Sequence, residues 1–128
     1  MRRLAFHLRL LGLYFAQYAK ARLAYRADFA TAAARYREAL VLNEELLGAN
    51  HPHLAAQLNN MGILARDLGN LAEAEALHRR ALAIAEKAQG PAHPDVASIL
   101  NSLARLHGRQ GRIEEGIALL DRALVITQ

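Results

Sequence analysis

Histidine is the residue type best placed to carry chemistry in this 128-residue chain, which has six histidines and no cysteine. Without thiols, disulfides, thiolate nucleophiles and cysteine-bound zinc are all excluded. His51 and His53 stand close together, but Pro52 between them breaks the i, i+4 geometry by which one helix offers two imidazoles to a metal. No carboxylate completes a ligand set there. His51-Pro52 returns as His93-Pro94, which marks these histidines as loop or cap residues, while His7, His78 and His107 fall in different helical segments. Acids pair at Glu44-Glu45, Glu73/Glu75 and Glu114-Glu115. Those beside helix starts answer the positive end of the helix dipole, and the rest suit solvated faces. No glycine-rich phosphate loop, Walker sequence or G-x-S-x-G turn occurs, so the residues point to no enzyme, no metal and no cofactor.

What recurs instead is a whole segment. Residues 51–86 placed on 93–128, an offset of 42, agree at 14 of 36 positions, among them the His-Pro pair, Asn59/Asn101 and Gly69/Gly111. Residues 28–52 agree with 70–94 at ten of 25, whereas 9–27 agree with 51–69 at none. The chain therefore holds two full units, preceded by a unit whose first half has diverged.

Each unit divides into two helices. In the middle unit, helix A is expected from about His53 to Leu68, with Leu54, Leu58, Met61 and Leu64/Ala65 at helical spacing. Gly69-Asn70 ends it, and helix B follows from Leu71 to Gln89, turning Ala74, Leu77, Ala81, Leu82 and Ile84/Ala85 inward. Gly90-Pro91 breaks that helix, Asp95 is the expected N-cap of the next helix A, and Gly111 separates the final pair. Small residues at Gly62, Ala74 and Ala81 permit close approach of A to B. Neither helix hides its apolar stripe alone, so pairs must stack on pairs.

The run Leu58-Asn59-Asn60-Met61-Gly62, then Gly69-Asn70-Leu71-Ala72-Glu73-Ala74-Glu75-Ala76-Leu77, then Arg80-Ala81-Leu82-Ala83-Ile84 and Gly90-Pro91-Ala92-His93-Pro94, resembles the 42-residue tetratricopeptide repeat of kinesin light chains. The resemblance covers about residues 28–128. It departs at Ala65 and His107, where the pattern has Tyr, and helix A of the first unit fits nothing. It implies an all-α solenoid of three antiparallel helix pairs in a right-handed superhelix: 1–27 as the divergent first helix, 28–52 completing repeat 1, 53–94 as repeat 2 and 95–128 as repeat 3. It also implies a protein-interaction module whose helices A line a concave groove. The groove positions are then Asn59, Ile63, Arg66 and Asp67 in one repeat and Asn101, Arg105, Gly108 and Arg109 in the next. Such spacing shares one helical face. An Asn amide both donates and accepts, so it holds a peptide backbone without demanding a sequence, and arginines add affinity for side-chain or C-terminal carboxylates. The ligand expected is an acidic or C-terminal peptide. The alternative for the same residues is structural, with Asn bonding to a neighbouring helix and the arginines pairing with Asp67, Glu73 or Glu114.

The formal charge of +4 is uneven. Arg2, Arg3, Arg9, Lys20, Arg22 and Arg26 precede the first acid, and Leu4, Leu8, Leu11, Phe15 and Tyr18 share one helical face among them. Two accounts fit this segment: a degenerate helix A that caps the array, or an amphipathic helix on an anionic membrane surface through residues 1–26. Nucleic acid is not expected as a partner, because no other helix is basic. No stretch has the roughly 20 apolar residues that span a bilayer, and the absence of Cys suits a cytoplasmic setting. An apolar end face formed by Ala118, Leu119, Ala123 and Ile126 would favour self-association, as would a chain that is part of a longer array.

Overall fold

In the computed structural model the described residues are 29–128 together with 3, 9 and 10. Apart from those three positions, the expected helix over 1–27 lies outside them. Among the described residues five helices follow one another: α1 (Phe29–Leu47), α2 (Pro52–Asp67), α3 (Leu71–Gln89), α4 (Pro94–Arg109) and α5 (Ile113–Thr127). The chain divides into two compact units, Met1–Ala49 and Asn50–Gln128. The first contains α1, which buries Ala32, Tyr36, Ala39 and Asn43, a single stripe at helical spacing. The second contains two complete helix pairs, α2 with α3 and α4 with α5, joined by tight turns.

Both turns within the pairs are closed by a glycine at positive φ. Gly69 (φ +85°) donates to the Arg66 carbonyl and Asn70 to that of Ala65, satisfying carbonyls that the helix end would leave bare. Gly111 (φ +77°) and Arg112 repeat this with the carbonyls of Gly108 and His107.

The recurring His-Pro pair starts α2 and α4. Proline at the first helical position needs no acceptor, having no N–H, and its fixed φ suits a helix. The imidazole Nδ1 of His51 then accepts the N–H of His53 at 3.1 Å, and Nδ1 of His93 that of Asp95 at 3.1 Å. The N-cap of α4 is therefore His93, in extended backbone, and not Asp95. The helix begins at Pro94, so Asp95 is already helical and contributes its carboxylate to the first turn instead.

Helix α4 meets three others, α2, α3 and α5. Val96, Leu100, Leu103 and Leu106 are fully buried, as are Leu54 and Leu58 of α2. Leu106 closes the junction between the pairs by packing with Ala65 and Ala74, beside Leu71 and Leu77. Exposed ion pairs Arg122–Glu86 (3.1 Å) and Arg112–Glu75 (3.7 Å) also link the two pairs, though such contacts contribute at most about 1 kcal/mol each. The Arg79 guanidinium, bonded to Glu75, holds that carboxyl below the usual carboxylate range.

The outer side of α5 differs from expectation. Ala123 is buried and Leu119 and Ile126 are half-buried, so of the four residues expected at the apolar end only Ala118 is exposed. The exposed apolar residues are Ile113, Ile117, Leu120, Leu124 and Val125. The helix is rotated so that its small residue, Ala123, meets α4.

One contact between α2 and α3 is peculiar to this pair. The His78 imidazole, wholly buried, lies flat against Gly62, where an added Cβ would stand 2.6–2.8 Å from three ring atoms. Neither ring nitrogen has a hydrogen-bond partner. Burial, with a smaller contribution from the Arg66 charge, pushes His78 down to about 4. The fold thus keeps the neutral ring while the unfolded chain takes up a proton below about pH 6.5. Stability is therefore unaffected above that pH, falls as pH drops from about 6.5 to 4, and loses about 3 kcal/mol over that window. The corresponding positions of the next repeat hold Ala104 and Leu120. In thermal or urea melts, Gly62→Ala is expected to destabilise by roughly 1–3 kcal/mol. Adding His78→Leu should recover most of that loss and abolish the decline between pH 6.5 and 4. Additive losses at neutral pH, or an unchanged pH profile, would contradict this packing.

Candidate functional site

Helices α2 and α4 are the first members of their pairs and lie side by side. Three-way packing buries nine of the sixteen residues of α4, which leaves an exposed strip of Ser98, Asn101, Arg105, Gly108 and Arg109. On α2 the matching strip is Ala56, Asn59, Asn60, Ile63, Arg66 and Asp67. A groove runs between the strips in two continuous parts that share Asn59 and Ser98. The part towards the helix N-termini has a volume of about 220 Å³ and is bounded by Asn60, Asp95 and Ile99. The part towards the C-termini has about 270 Å³ and is bounded by Ile63, Arg66, Asn101, Ser102 and Arg105.

Five of the residues expected from the sequence thus meet in one place: Asn59, Ile63, Arg66, Asn101 and Arg105. Each has a distinct environment. The Oδ1 of Asn59 is shielded from solvent and accepts no hydrogen bond. Asn101, one repeat on, is exposed. Arg66 is half-buried, with Nη2 3.4 Å from Asp67 Oδ1. Arg105 is exposed and has neither an ion pair nor a hydrogen bond among the described residues. Ile63 supplies an apolar wall.

Asp67 and Arg109 lie beside the groove and do not line it. Asp67 pairs with Arg66, and Arg109 Nη1 donates to the Arg66 backbone carbonyl at 3.0 Å, 43 residues away. That carbonyl sits at the negative end of the α2 dipole, so a cation there is favourable. Arg109 therefore joins two repeats. Gly108 is exposed, with open space around it.

Ser98, Ser102, Asn60 and Asp95 line the groove without having been singled out for it. Ser98 stands three residues before Asn101 on the same helical face, and that spacing was the available signal. Ser102 is satisfied internally, donating to the Ser98 carbonyl at 3.3 Å. A third hollow, of about 320 Å³, lies between Asn101 and the Leu120, Ala123 and Leu124 side of α5. Among the described residues no group of three or more His, Asp or Glu is placed to hold a metal, and no helix is long and apolar enough to cross a membrane.

The family model for the tetratricopeptide repeat matches residues 13–87 and again 54–128. Among solved structures the chain is similar to BtubC (BKLC) from P. vanneervenii, with 24% identity and a TM-score of 0.79 over 88% of this chain and 45% of that one. It is also similar to a kinesin-light-chain protein of nearly identical TPR-like repeats from Podosopora anserina, with 22% identity and a TM-score of 0.76 over 87% and 53%. The chain spans about half the length of these structures, and at such identities the likeness is one of fold. No curated protein sequence matches it.

Proposed function

The chain belongs to the tetratricopeptide repeat family, whose members are protein-interaction modules, and we propose that it acts without catalysis by holding an extended polypeptide in the groove between α2 and α4. One observation carries this reading: Asn59, Arg66, Asn101 and Arg105, from two successive repeats, line one groove between α2 and α4. The Asn59 amide side chain meets the backbone of a bound strand. Asn101 repeats the same amide one repeat on, and Arg105, unpaired at rest, supplies a cation for an acidic side chain or a C-terminal carboxylate. The shallow groove makes modest affinity the expectation, since ordering a flexible peptide offsets much of the gain.

The two arginines of α4 separate binding from folding. Asn59→Ala with Asn101→Ala, or Arg105→Gln, should leave the melting temperature nearly unchanged while weakening capture of acidic peptides by roughly tenfold, about 1.4 kcal/mol. Arg109→Gln should do the reverse, lowering stability by about 1 kcal/mol with little effect on capture. Isothermal titration alongside thermal melts tests both. Undiminished capture in the Asn59/Asn101 double variant would exclude the groove.

A second reading is favoured by the outer face of α5. Ile117, Leu120 and Leu124 are 52%, 46% and 58% exposed on one helical face. The hollow beside them is lined by Asn101, Leu120, Ala123 and Leu124, which correspond 42 residues earlier to Asn59, His78, Ala81 and Leu82, on the helices that α4 covers. A second copy pairing through this face would remove that apolar surface from water. Sedimentation equilibrium is then expected to show a concentration-dependent dimer that Leu120→Glu with Leu124→Glu abolishes. A wild type that stays monomeric at millimolar concentration contradicts this reading.

A further inference from the structure

The groove is electrically two-ended. At the N-terminal end of α4 stands Asp95, and at the other end stand Arg66 and Arg105. Among the described residues the Asp95 carboxylate has no partner that neutralises it. His93 Nδ1 lies 3.7 Å from its Oδ2, but that nitrogen already accepts the Asp95 backbone N–H at 3.1 Å and so has no proton to offer. At the opposite end Arg66 is engaged by Asp67, and Arg105 is a cation with no partner among the described residues. Between the two lie uncharged groups, Asn59, Ser98 and Asn101.

These charges are not required by the repeat. The positions that correspond to Asp95 and Arg105 in the preceding repeat are His53 and Ile63, so neither side chain is needed to build a helix A of this kind. Asp95 does favour the α4 N-terminus through the dipole, but that effect is small and asks nothing of the groove. Ten residues of α4 separate the two, about 15 Å at a helical rise of about 1.5 Å per residue. An extended strand advances about 3.3 Å per residue, so four to five ligand residues cover that distance.

We propose that the groove recognises a dipolar peptide, one bearing a basic residue that meets Asp95 and an acidic residue that meets Arg105, four to five positions apart. This rests on the peptide-binding reading above and adds a partner chemistry to it: the acid alone is half of the signal. Because either chain direction can satisfy the two charges, the recognised feature is their spacing and opposite sign. The Asp95 carboxylate also repels uniformly acidic segments, which a cationic groove alone would accept.

The test is selection of random phage-displayed dodecapeptides on the full chain, on Asp95→Lys and on Arg105→Glu, with circular dichroism and thermal melts confirming that all three are folded. The wild type is expected to enrich peptides with one base and one acid four to five positions apart. Asp95→Lys should select two acids at that spacing, and Arg105→Glu two bases. Synthetic peptides from the wild-type selection should bind each variant about threefold or more weakly. If acids alone are enriched on the wild type and Asp95→Lys selects the same sequences, the dipolar signal is overturned while the groove stands. If neither variant changes the selected sequences, or no peptide is enriched, the groove reading fails and this inference with it.

Discussion

Helix α4 has three helical neighbours, and that crowding shapes the rest of the second unit. A single amphipathic helix pair exposes one apolar side to water, and burying it requires another pair at a fixed translation. In this chain α4 supplies the surface that α2 and α3 need, and α5 covers what remains of α4. The result is a helix apolar around most of its circumference, with one polar strip. Since α2 is packed in a similar way, the two strips come to lie next to each other, and the groove follows from burial elsewhere.

The same crowding assigns different tasks to chemically similar side chains. Arg105 and Arg109 are one helical turn apart, yet Arg109 reaches back to the end of α2 while Arg105 has no partner among the described residues. Asn59 and Asn101 occupy equivalent places, but Asn59 sits deeper, because α4 covers it and no further helix among the described residues covers Asn101. Position in the array, and not residue type, decides which group is spent on the fold and which stays exposed. His78 shows the limit of tolerance in the core. Its two unpaired ring nitrogens are accepted because Gly62 leaves a flat space for the ring, at a cost that grows as pH falls.

Much of this was legible in the residues. The offset of 42, the two glycine turns and the extent of α3 follow from period and punctuation, and the face shared by Asn59, Ile63 and Arg66 follows from helical geometry. Other features depend on contacts that no period encodes. Leu, Ala and Gly at successive positions of α5 leave its rotation ambiguous, so the apolar residues that remain exposed differ from those expected. Asp95 has the better N-cap chemistry of the two candidates, but Pro94 starts the helix one residue earlier and gives that task to His93. Arg109 is long and flexible, and only the placement of the α2 terminus shows why it turns backwards. The meeting of Gly62 and His78 involves a pair that the next repeat replaces, so no recurrence announced it.

The groove requires that residues 42 apart on α2 and α4 face one another across it. The chain has no native cysteine, so a pair can be introduced without background. Ala56→Cys with Ser98→Cys places one thiol on each side of the groove, on helices whose axes should be about 8–10 Å apart. Treatment with a bifunctional thiosulfonate about 10 Å long should link the two within one chain almost completely, whereas Ala56→Cys with Val125→Cys should not link. Equal linking of both pairs, or failure of the first in a folded protein, would contradict the stacked arrangement on which the groove depends.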